Sequence, residues 1–408
     1  MERAEITLLL LGCMALLVPV GFAAHASGAS RSKNATSSLV RSVVQMAVAT
    51  LAFWAIGAAI VMGEGRAPIA LNFKLLFLAG GEPKIFVSAI FMNLVLVLIA
   101  VSPVAAAVGE RSRTLPIWLG TALLAAIVVP VCGYWCWSPT GWLARLKFLD
   151  GGGAGVLHLT GGTFAIIAAV FIGPRSNKYN TDGSSNLIPG HSAPVAAAGL
   201  LLAFAGWFPY IIGACLIHGH SPTRAAINLA LAVAASIVVT YGMSRAKYGK
   251  PDALLTLAAA LAGSISISAA AGVVNPIAAV AIGGIGGMLV LWATVLIDMN
   301  LKIDDPSGTI ASHIVAGAWA IIAAGIFAPQ PNIVSQLKQM LVQMLGLGAI
   351  SAWAVLCGFG LFYLLKRTIR LRISDADEYD GIDLAEHDLN AYPDFQQTMI
   401  KSYHLREA

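Results

Sequence analysis

Two segments of this chain resemble each other. Residues 150–174 read DGGGAGVLHLTGGTFAIIAAVFIGP, and residues 305–329 read DPSGTIASHIVAGAWAIIAAGIFAP. Each segment places a histidine, His158 or His313, eight residues after its first aspartate, and a glycine four residues beyond that histidine. The AIIAA run and the closing proline follow in register. An ungapped match of this length indicates an internal duplication.

The composition is that of a membrane protein. Of the 408 residues 58% are hydrophobic and 11% are charged, and the mean hydropathy is +0.79, whereas soluble domains carry about 25% charged residues. Crossing a bilayer takes about 20 mainly apolar residues. We therefore predict an all-α membrane domain over residues 1–365 and a polar tail over residues 366–408. The eleven predicted spans are residues 5–27, 39–62, 84–108, 115–137, 154–173, 192–217, 225–244, 253–272, 275–297, 309–328 and 340–365.

Three simpler features limit the possible functions. The first span resembles a cleaved signal peptide because small residues follow it, but its first five residues, MERAE, are not basic, so we expect it to be retained. The net charge of +5 comes without a basic patch, which excludes a nucleic-acid partner. The five cysteines have neither disulfide-framework nor zinc-site spacing, and we interpret them as packing residues. They are Cys13, Cys132, Cys136, Cys215 and Cys357.

Lysine and arginine are unevenly distributed between the predicted loops. With the N-terminus outside, 15 of the 25 lie on the inner side, 8 lie on the outer side, and the remaining two are in the far tail. Cytoplasmic loops carry the excess of these residues. The bias predicts a multi-pass protein of the cell (inner) membrane, with its N-terminus outside and its tail in the cytoplasm.

The repeat places both histidines near the middle of the membrane. Its copies are the fifth and tenth spans, so they run in opposite directions, as in the inverted 5+5 repeats of many transporters. Each histidine then lies about 12 Å along its helix, at about 1.5 Å per residue, in a hydrocarbon core of about 30 Å. We predict that His158 and His313 meet within hydrogen-bond reach in a narrow apolar pore. No other histidine is expected deep in a span.

Alternative roles exist for these polar residues. A single histidine in a membrane often makes only an interhelical hydrogen bond, but an intramembrane ionisable pair is a functional hypothesis by default. Asp150 and Asp305 each begin a helix, where a carboxylate caps free N–H groups. We group them with Asp304 as structural support, with attraction of a cation as the second interpretation.

Several motifs resemble those of the ammonium transporter family, which includes the Rhesus-type proteins. LDGGGAGVLH is similar to the family's LDFAGGxVVH pattern at its first pore histidine, and IDDPSGTIASH to the DDP pattern before its second. SGASRSKN at residues 27–34 resembles GGLxRxKN, AGWFPYIIGA at 205–214 resembles GWFxFNxGS, and YWCWSPTGWL at 134–143 resembles the vestibule tryptophan segment. The resemblance covers about residues 5–393.

The resemblance implies a homotrimer in the lipid bilayer with one pore per subunit. Ammonium would be recruited at an aromatic outer vestibule and would pass as ammonia and a proton between the twin histidines, without a cofactor. Trp137 falls at the vestibule position, where its π face attracts a cation by about 0.5–2 kcal/mol. An interfacial belt residue is the alternative for it. Trp207 falls in the neighbourhood of the pore gate.

The predicted entrance departs from the family pattern. The two phenylalanines of the outer gate fall on Leu96 and Tyr210 here, and the vestibule serine falls on Ala214. The asparagine of the WFxFN pattern is Ile211. The twin-histidine centre is therefore kept while the ammonium-recruitment positions have changed.

The tail carries a further resemblance. EYDGIDLAEHDLNAY at residues 378–392 is similar to the family's cytoplasmic ExxGLDxxEHGxxAY pattern. We expect it to lie against the inner loops and to be read by a small PII-type regulatory protein or by a C-terminal signalling domain. Residues 394–408 continue beyond the pattern as a helix-compatible stretch, which suggests a longer natural protein. The tail residues that match are Glu378, Gly381, Asp383, His387 and Tyr392.

Two functions within this family, and one outside it, remain to be compared. A conducting transporter is the family's usual function. An ammonium sensor of the same fold, which conducts weakly and relays occupancy through the tail, would explain the changed entrance. A membrane enzyme with a metal between the histidines would need a third ligand, and none is placed for it. We therefore expect no enzyme and no metal site.

Overall fold

The computed structural model describes residues 2–79 and 84–393, and its regular structure there is helical. Within these residues, ten helices are long and apolar enough to cross a membrane, and one further apolar helix, Ala253–Ser268, is shorter. Two isolated bridges, Ser112–Arg372 and Tyr179–Ser185, are the only β pairing in these residues. The helices are α1 (Arg3–Ala29), α2 (Ser32–Val61), α3 (Val87–Val108), α4 (Thr114–Arg145), α5 (Ala154–Ile172), α6 (Ala193–Ile217), α7 (Pro222–Tyr248), α8 (Ala253–Ser268), α9 (Pro276–Asn300), α10 (Thr309–Phe327) and α11 (Ile333–Thr368).

The prediction of an all-helical membrane protein is confirmed, with differences at several helix ends. Helix α2 begins at Ser32 rather than at residue 39, and α4 ends at Arg145 rather than at residue 137. Helix α8 ends at Ser268 after 16 residues, which is fewer than the about 20 needed to cross a bilayer. Helix α11 begins at Ile333, well before the predicted residue 340. The Asn332 side chain accepts a hydrogen bond from the backbone N–H of Ser335 at 2.9 Å, and this cap starts the helix in a polar stretch that a hydropathy pattern misses.

Glycine allows the helices to approach each other closely. A Cβ added at Gly161 of α5 would lie 2.0 Å from the carbonyl oxygen of Ala100 in α3. One added at Gly283 of α9 would lie 2.0 Å from the carbonyl oxygen of Ala232 in α7. Small residues permit this backbone contact in lipid, where no hydrophobic force brings helices together.

Buried ion pairs gather several loops and the tail at one end of the bundle, which we call the tail face. Arg175 contacts both Glu110 and Asp304, and Arg31 contacts Glu110 and Glu378. Helix α10 begins at this face, just after Asp304. Helix α5 begins at the opposite end, after the loop of residues 150–153, and we call that end the Trp137 face. The two histidine helices therefore run in opposite directions.

Candidate functional site

Helices α5 and α10 begin in the same way. The Asp150 carboxylate accepts hydrogen bonds from the N–H groups of Gly155 and Val156, both at 3.0 Å. The Asp305 carboxylate accepts one from Ile310 at 2.7 Å. A glycine three residues after each aspartate has a positive φ, 75° in one copy and 68° in the other. The aspartates are thus engaged in starting the helices, and glycine suits the left-handed turn that follows them.

Each histidine lies in a widened helical turn. Residues 154–159 and 312–316 form π-helical segments, and they contain His158 and His313 respectively. Single π turns inside α-helices occur frequently at functional sites. The glycine four residues after each histidine packs on the other copy: a Cβ on Gly162 would lie 2.9 Å from Cβ of His313, and one on Gly317 would lie 3.2 Å from the backbone nitrogen of Leu159.

The two imidazoles are adjacent and completely buried. Their ring centroids are 5.2 Å apart and their planes are inclined by 65°. Nδ1 of His313 donates to the carbonyl oxygen of Thr309 at 2.9 Å, and Nε2 of His158 lies 3.4 Å from the Tyr210 hydroxyl oxygen. Within the described residues, Nδ1 of His158 and Nε2 of His313 have no hydrogen-bond partner.

The expected direct hydrogen bond between the histidines is therefore absent. The rings meet edge to face. The hydrogen bonds that each ring makes to other groups also leave its free nitrogen without a proton, so neither ring can donate to the other. Because Nδ1 of His313 donates, Nε2 of a neutral ring is an acceptor. The Tyr210 hydroxyl donates to the Gly152 carbonyl oxygen, so it accepts from Nε2–H of His158, whose Nδ1 is then also an acceptor. These tautomers are assigned from the neighbouring groups.

Aromatic side chains enclose the pair. Trp207 stacks on His158, with ring centroids 5.2 Å apart and an interplanar angle of 15°. Phe22 of α1 lies against His313 with centroids 5.4 Å apart. Burial in such an apolar site disfavours charged forms. Trp207 was predicted at the gate, but Phe22 was not, because no sequence pattern links α1 to the second histidine.

The loop before α5 positions three aromatic rings through successive backbone carbonyls. Residue 150 accepts a hydrogen bond from the Trp137 indole N–H at 2.8 Å, residue 151 accepts one from Nδ1 of His218 at 2.7 Å, and residue 152 accepts one from the Tyr210 hydroxyl. The loop is in turn held by the end of α8, where the carbonyls of Ser268 and Ala269 accept from its N–H groups. The three rings are therefore anchored to the backbone immediately before α5.

The residues predicted to form the entrance are all placed by the structure. Tyr210 and Ala214 lie one turn apart on one side of α6, and His218, the residue directly after its end, follows at the next four-residue step. Ala214 is completely buried. The Tyr210 hydroxyl is bonded to the loop and is not free to swing. Leu96 of α3 is completely buried as well. His218 was not predicted as a site residue, although its spacing from Tyr210 was a usable signal.

At the tail face, a cavity of about 530 Å³ opens beside the start of α10. Asp305, Ser307 and His25 are among its lining residues. His25 is buried, with its ring nitrogens 3.1 Å from the Ala196 carbonyl oxygen and 2.8 Å from that of Ser307. The sequence did not single out His25, because it lies near the end of the first predicted span.

Comparison with known proteins identifies the family. The sequence profile described as Ammonium Transporter Family matches residues 6–392. The chain belongs to the ammonium transporter family.

Several members of the ammonium transporter family illustrate the similarity. Ammonium transporter Amt2 of Archaeoglobus fulgidus is 33% identical over 95% of this chain and 87% of its own length. A solved structure titled "Sensor Amt Protein" is also 33% identical, covers 95% of this chain and 100% of its own, and superimposes with a TM-score of 0.89. Candida albicans Mep2, at 21% identity, a TM-score of 0.81, and coverage of 92% and 87%, shows the same fold.

In this ammonium transporter family member, Asp304 belongs to a buried ion network. Its two carboxylate oxygens accept hydrogen bonds from the Arg175 guanidinium at 2.8 and 2.9 Å. Burial acts to raise the pKa of Asp304, but these hydrogen bonds and the charges of Arg111 and Arg175 lower it to about 2. The Glu110 pKa is likewise lowered, because Arg175 and Arg31 outweigh its burial. Asp304 stabilises the tail face and lies outside the histidine pocket.

The tail packs against the tail-face loops through α12 (Asp375–Asp380) and α13 (Ile382–His387). The Asp383 carboxylate accepts hydrogen bonds from the N–H groups of Thr36 and Ser37, at 3.0 and 2.6 Å, near the start of α2. Glu378 is buried and accepts one from the Ser176 N–H at 2.7 Å. Gly381 has a φ of 106° and packs on Lys33.

The last predicted tail residues are less enclosed. His387 ends α13 and is half-buried, and Tyr392 is exposed with its ring centroid 5.5 Å from that of His191. Residues 394–408, predicted to be helix-compatible, lie outside the described residues. Among the residues that are described, no three His, Cys, Asp or Glu side chains form a group that could hold a metal ion.

We expect Asp383→Ala to loosen the tail. The carboxylate satisfies two free N–H groups at a helix start, and loss of such a cap costs about 0.5–2 kcal/mol. Faster amide hydrogen exchange over residues 375–387 would report this. Asp380→Ala, an exposed carboxylate on the same tail, is the matched control and should leave exchange unchanged. Equal exchange in the two variants would show that Asp383 does not hold the tail.

Proposed function

We propose that this chain transports ammonium by separating it into ammonia and a proton at the histidine pair. The observation that carries the proposal is the adjacent pair of buried imidazoles, each presenting one unpartnered nitrogen in an aromatic pocket. A bare charge at the bilayer centre costs at least about 2.5–3.5 kcal/mol, so an apolar path favours neutral ammonia.

The tautomers assigned above support a proton step. Both free nitrogens are acceptors, so the rings hold no shared proton until ammonium supplies one. Ammonium arriving from the Trp137 face donates a proton to Nδ1 of His158, and the ammonia so formed moves on past His313. The proton then passes to Nε2 of His313 and leaves by the cavity at the tail face, where ammonia is protonated again.

We extend the proposal to the whole assembly. The chain crosses the membrane eleven times, and the turn after Ser268 completes the crossing that begins with α8. This places the N-terminus outside and the tail in the cytoplasm. The crossings form an inverted 5+5 repeat. The positive charge of the inner loops and the shared starts of α5 and α10 support this arrangement. We further infer a homotrimer in the inner membrane, with a tail read by a PII-type protein or a signalling domain.

Ammonium pulses on the purified protein in liposomes test the function. We expect an inward current and internal pH change that saturate with ammonium concentration and are absent from empty liposomes. Calorimetry on the same preparation measures ammonium binding. Saturable binding without current would overturn the transport proposal and favour an ammonium sensor; the 33% identical solved structure is titled a sensor Amt protein.

A further inference from the structure

His218 is the residue directly after the end of α6, at the Trp137 face. Its ring stacks on Trp137, with centroids 4.8 Å apart and an interplanar angle of 28°. Nδ1 donates to the Gly151 carbonyl oxygen at 2.7 Å, so Nε2 carries the lone pair of the neutral ring. Nε2 has no hydrogen-bond partner within residues 2–79 and 84–393, and the side chain is only half-buried.

The stacking of His218 on Trp137 changes how a cation can bind at the Trp137 face. One face of the Trp137 indole is covered by the imidazole, so a cation cannot occupy that face while the stack persists. Ala214, one turn deeper on α6, has no hydroxyl to accept a hydrogen bond from ammonium. His218 lies one helical turn further along, because its backbone N–H donates to the Ala214 carbonyl oxygen at 3.0 Å. The acceptor missing from Ala214 is available one turn outward.

We propose that Nε2 of His218 is the hydrogen-bond acceptor that recognises ammonium at the Trp137 face, in place of a hydroxyl at position 214. This rests on the proposed function, in which ammonium enters from that face. Trp137 and Gly151 then act as positioning residues, because they hold the imidazole plane and its tautomer. The preferred ligand is a small cation with N–H donors, such as ammonium or methylammonium; potassium offers no donor.

The surrounding groups keep this acceptor neutral. Burial lowers the pKa of His218 to about 4, and the nearby His220 acts in the same direction. Burial also lowers the pKa of His220. Of the other titratable groups on the packed elements, Asp150 has its carboxylate turned to the start of α5, and the Arg224 guanidinium donates to the Val273 carbonyl oxygen at 3.1 Å. Recognition should therefore persist at neutral external pH and weaken in acid, when the imidazole becomes protonated.

Ammonium binding to the full chain, measured by calorimetry beside transport in liposomes, tests the assignment. A hydrogen bond to a charged group is worth enough to change affinity by about 10- to 100-fold. We expect His218→Ala to raise Kd and KM by that factor and to leave the maximal current within about two-fold. His218→Gln, which keeps both a donor and an acceptor, should restore affinity to within about three-fold.

Two further variants separate recognition from packing. His218→Phe keeps a ring on Trp137 without an acceptor, and should bind as weakly as His218→Ala. Adding Ala214→Ser to His218→Ala should recover part of the affinity. Wild-type affinity in both His218→Ala and His218→Phe would overturn the assignment, as would rescue by Phe alone. Because binding is measured without transport, these outcomes differ from failure of the proposed function, in which the wild-type protein carries no current.

Discussion

Replacing His158 with alanine should lower the rate of ammonium transport by about 100-fold, while ammonium binding at the Trp137 face stays within about two-fold of the wild type. A positioned group that takes and gives a proton contributes about 10²–10⁴-fold to a rate, and Nδ1 of His158 is the group that takes the proton from ammonium in the proposed path. Initial rates of current in liposomes, with binding by calorimetry, measure the two effects.

A second substitution at this position separates the proton from the ammonia. His158→Asn keeps a small polar side chain but cannot carry a proton at neutral pH. We expect it to pass neutral ammonia, seen as internal alkalinisation, without the current that accompanies wild-type transport. His191→Ala, a half-buried histidine at the tail face, is the control and should retain the wild-type current.

Currents within about three-fold of the wild type in both His158 variants would place the proton path elsewhere. The outcome is informative because His158 is completely buried and makes only one polar side-chain contact, to Tyr210. Its removal leaves no unpaired charge, so misfolding is not the expected cause of lost transport. The thermal unfolding midpoint of each variant checks this directly.

The sequence placed the two histidine helices well because the duplication is a local, ungapped pattern. Aspartate, glycine and histidine recur at fixed spacing, and both copies start their helices by the same carboxylate contacts. The π turns and the edge-to-face meeting of His158 and His313 could not be predicted in this way. They depend on Phe22, Trp207 and other groups that are distant in the chain.

For the predicted entrance, too, the sequence identified positions but not the contacts between them. Ala214 and Tyr210 were predicted from their place in a motif, which identifies a position but not its neighbours. His218 lies one residue beyond the predicted end of the same span, and only the structure shows its ring on Trp137. The four-residue steps from Tyr210 through Ala214 to His218 define one side of a helix, so this side could have been recognised. The contact between His218 and the Gly151 carbonyl oxygen, which fixes the His218 tautomer, could not have been predicted from the sequence.

Replacing Asp304 with asparagine should lower the free energy of unfolding by about 3–5 kcal/mol, the usual cost of removing one partner from a buried salt bridge. The Arg175 guanidinium would lose charge-assisted hydrogen bonds at 2.8 and 2.9 Å. Arg111 is completely buried and would lose its nearest carboxylate, at 3.7 Å. Asparagine has nearly the same volume, so the loss is electrostatic.

Asp298→Asn is the matched control. Asp298 pairs with Lys178 at 2.9 Å, but about one third of its side chain is exposed. Exposed pairs typically contribute about 0.2–1 kcal/mol. Thermal unfolding in detergent, followed by tryptophan fluorescence at neutral pH, should therefore show a large fall in the midpoint for the Asp304 variant and a small one for the control. Equal midpoints would show that the buried network adds no stability.

The pH dependence of the free energy of unfolding provides a second, independent test of the Asp304 prediction. The folded-state pKa of Asp304 is about 2, below its ordinary value of 3.8. A lowered carboxyl pKa stabilises the folded state above the ordinary value, and that stability is lost as the pH falls through the folded value. Wild-type stability should therefore decline between about pH 4 and pH 2, and Asp304→Asn should decline less steeply there. Glu110, whose pKa is also lowered, keeps some of the slope, so a variant as steep as the wild type would contradict the assignment to Asp304.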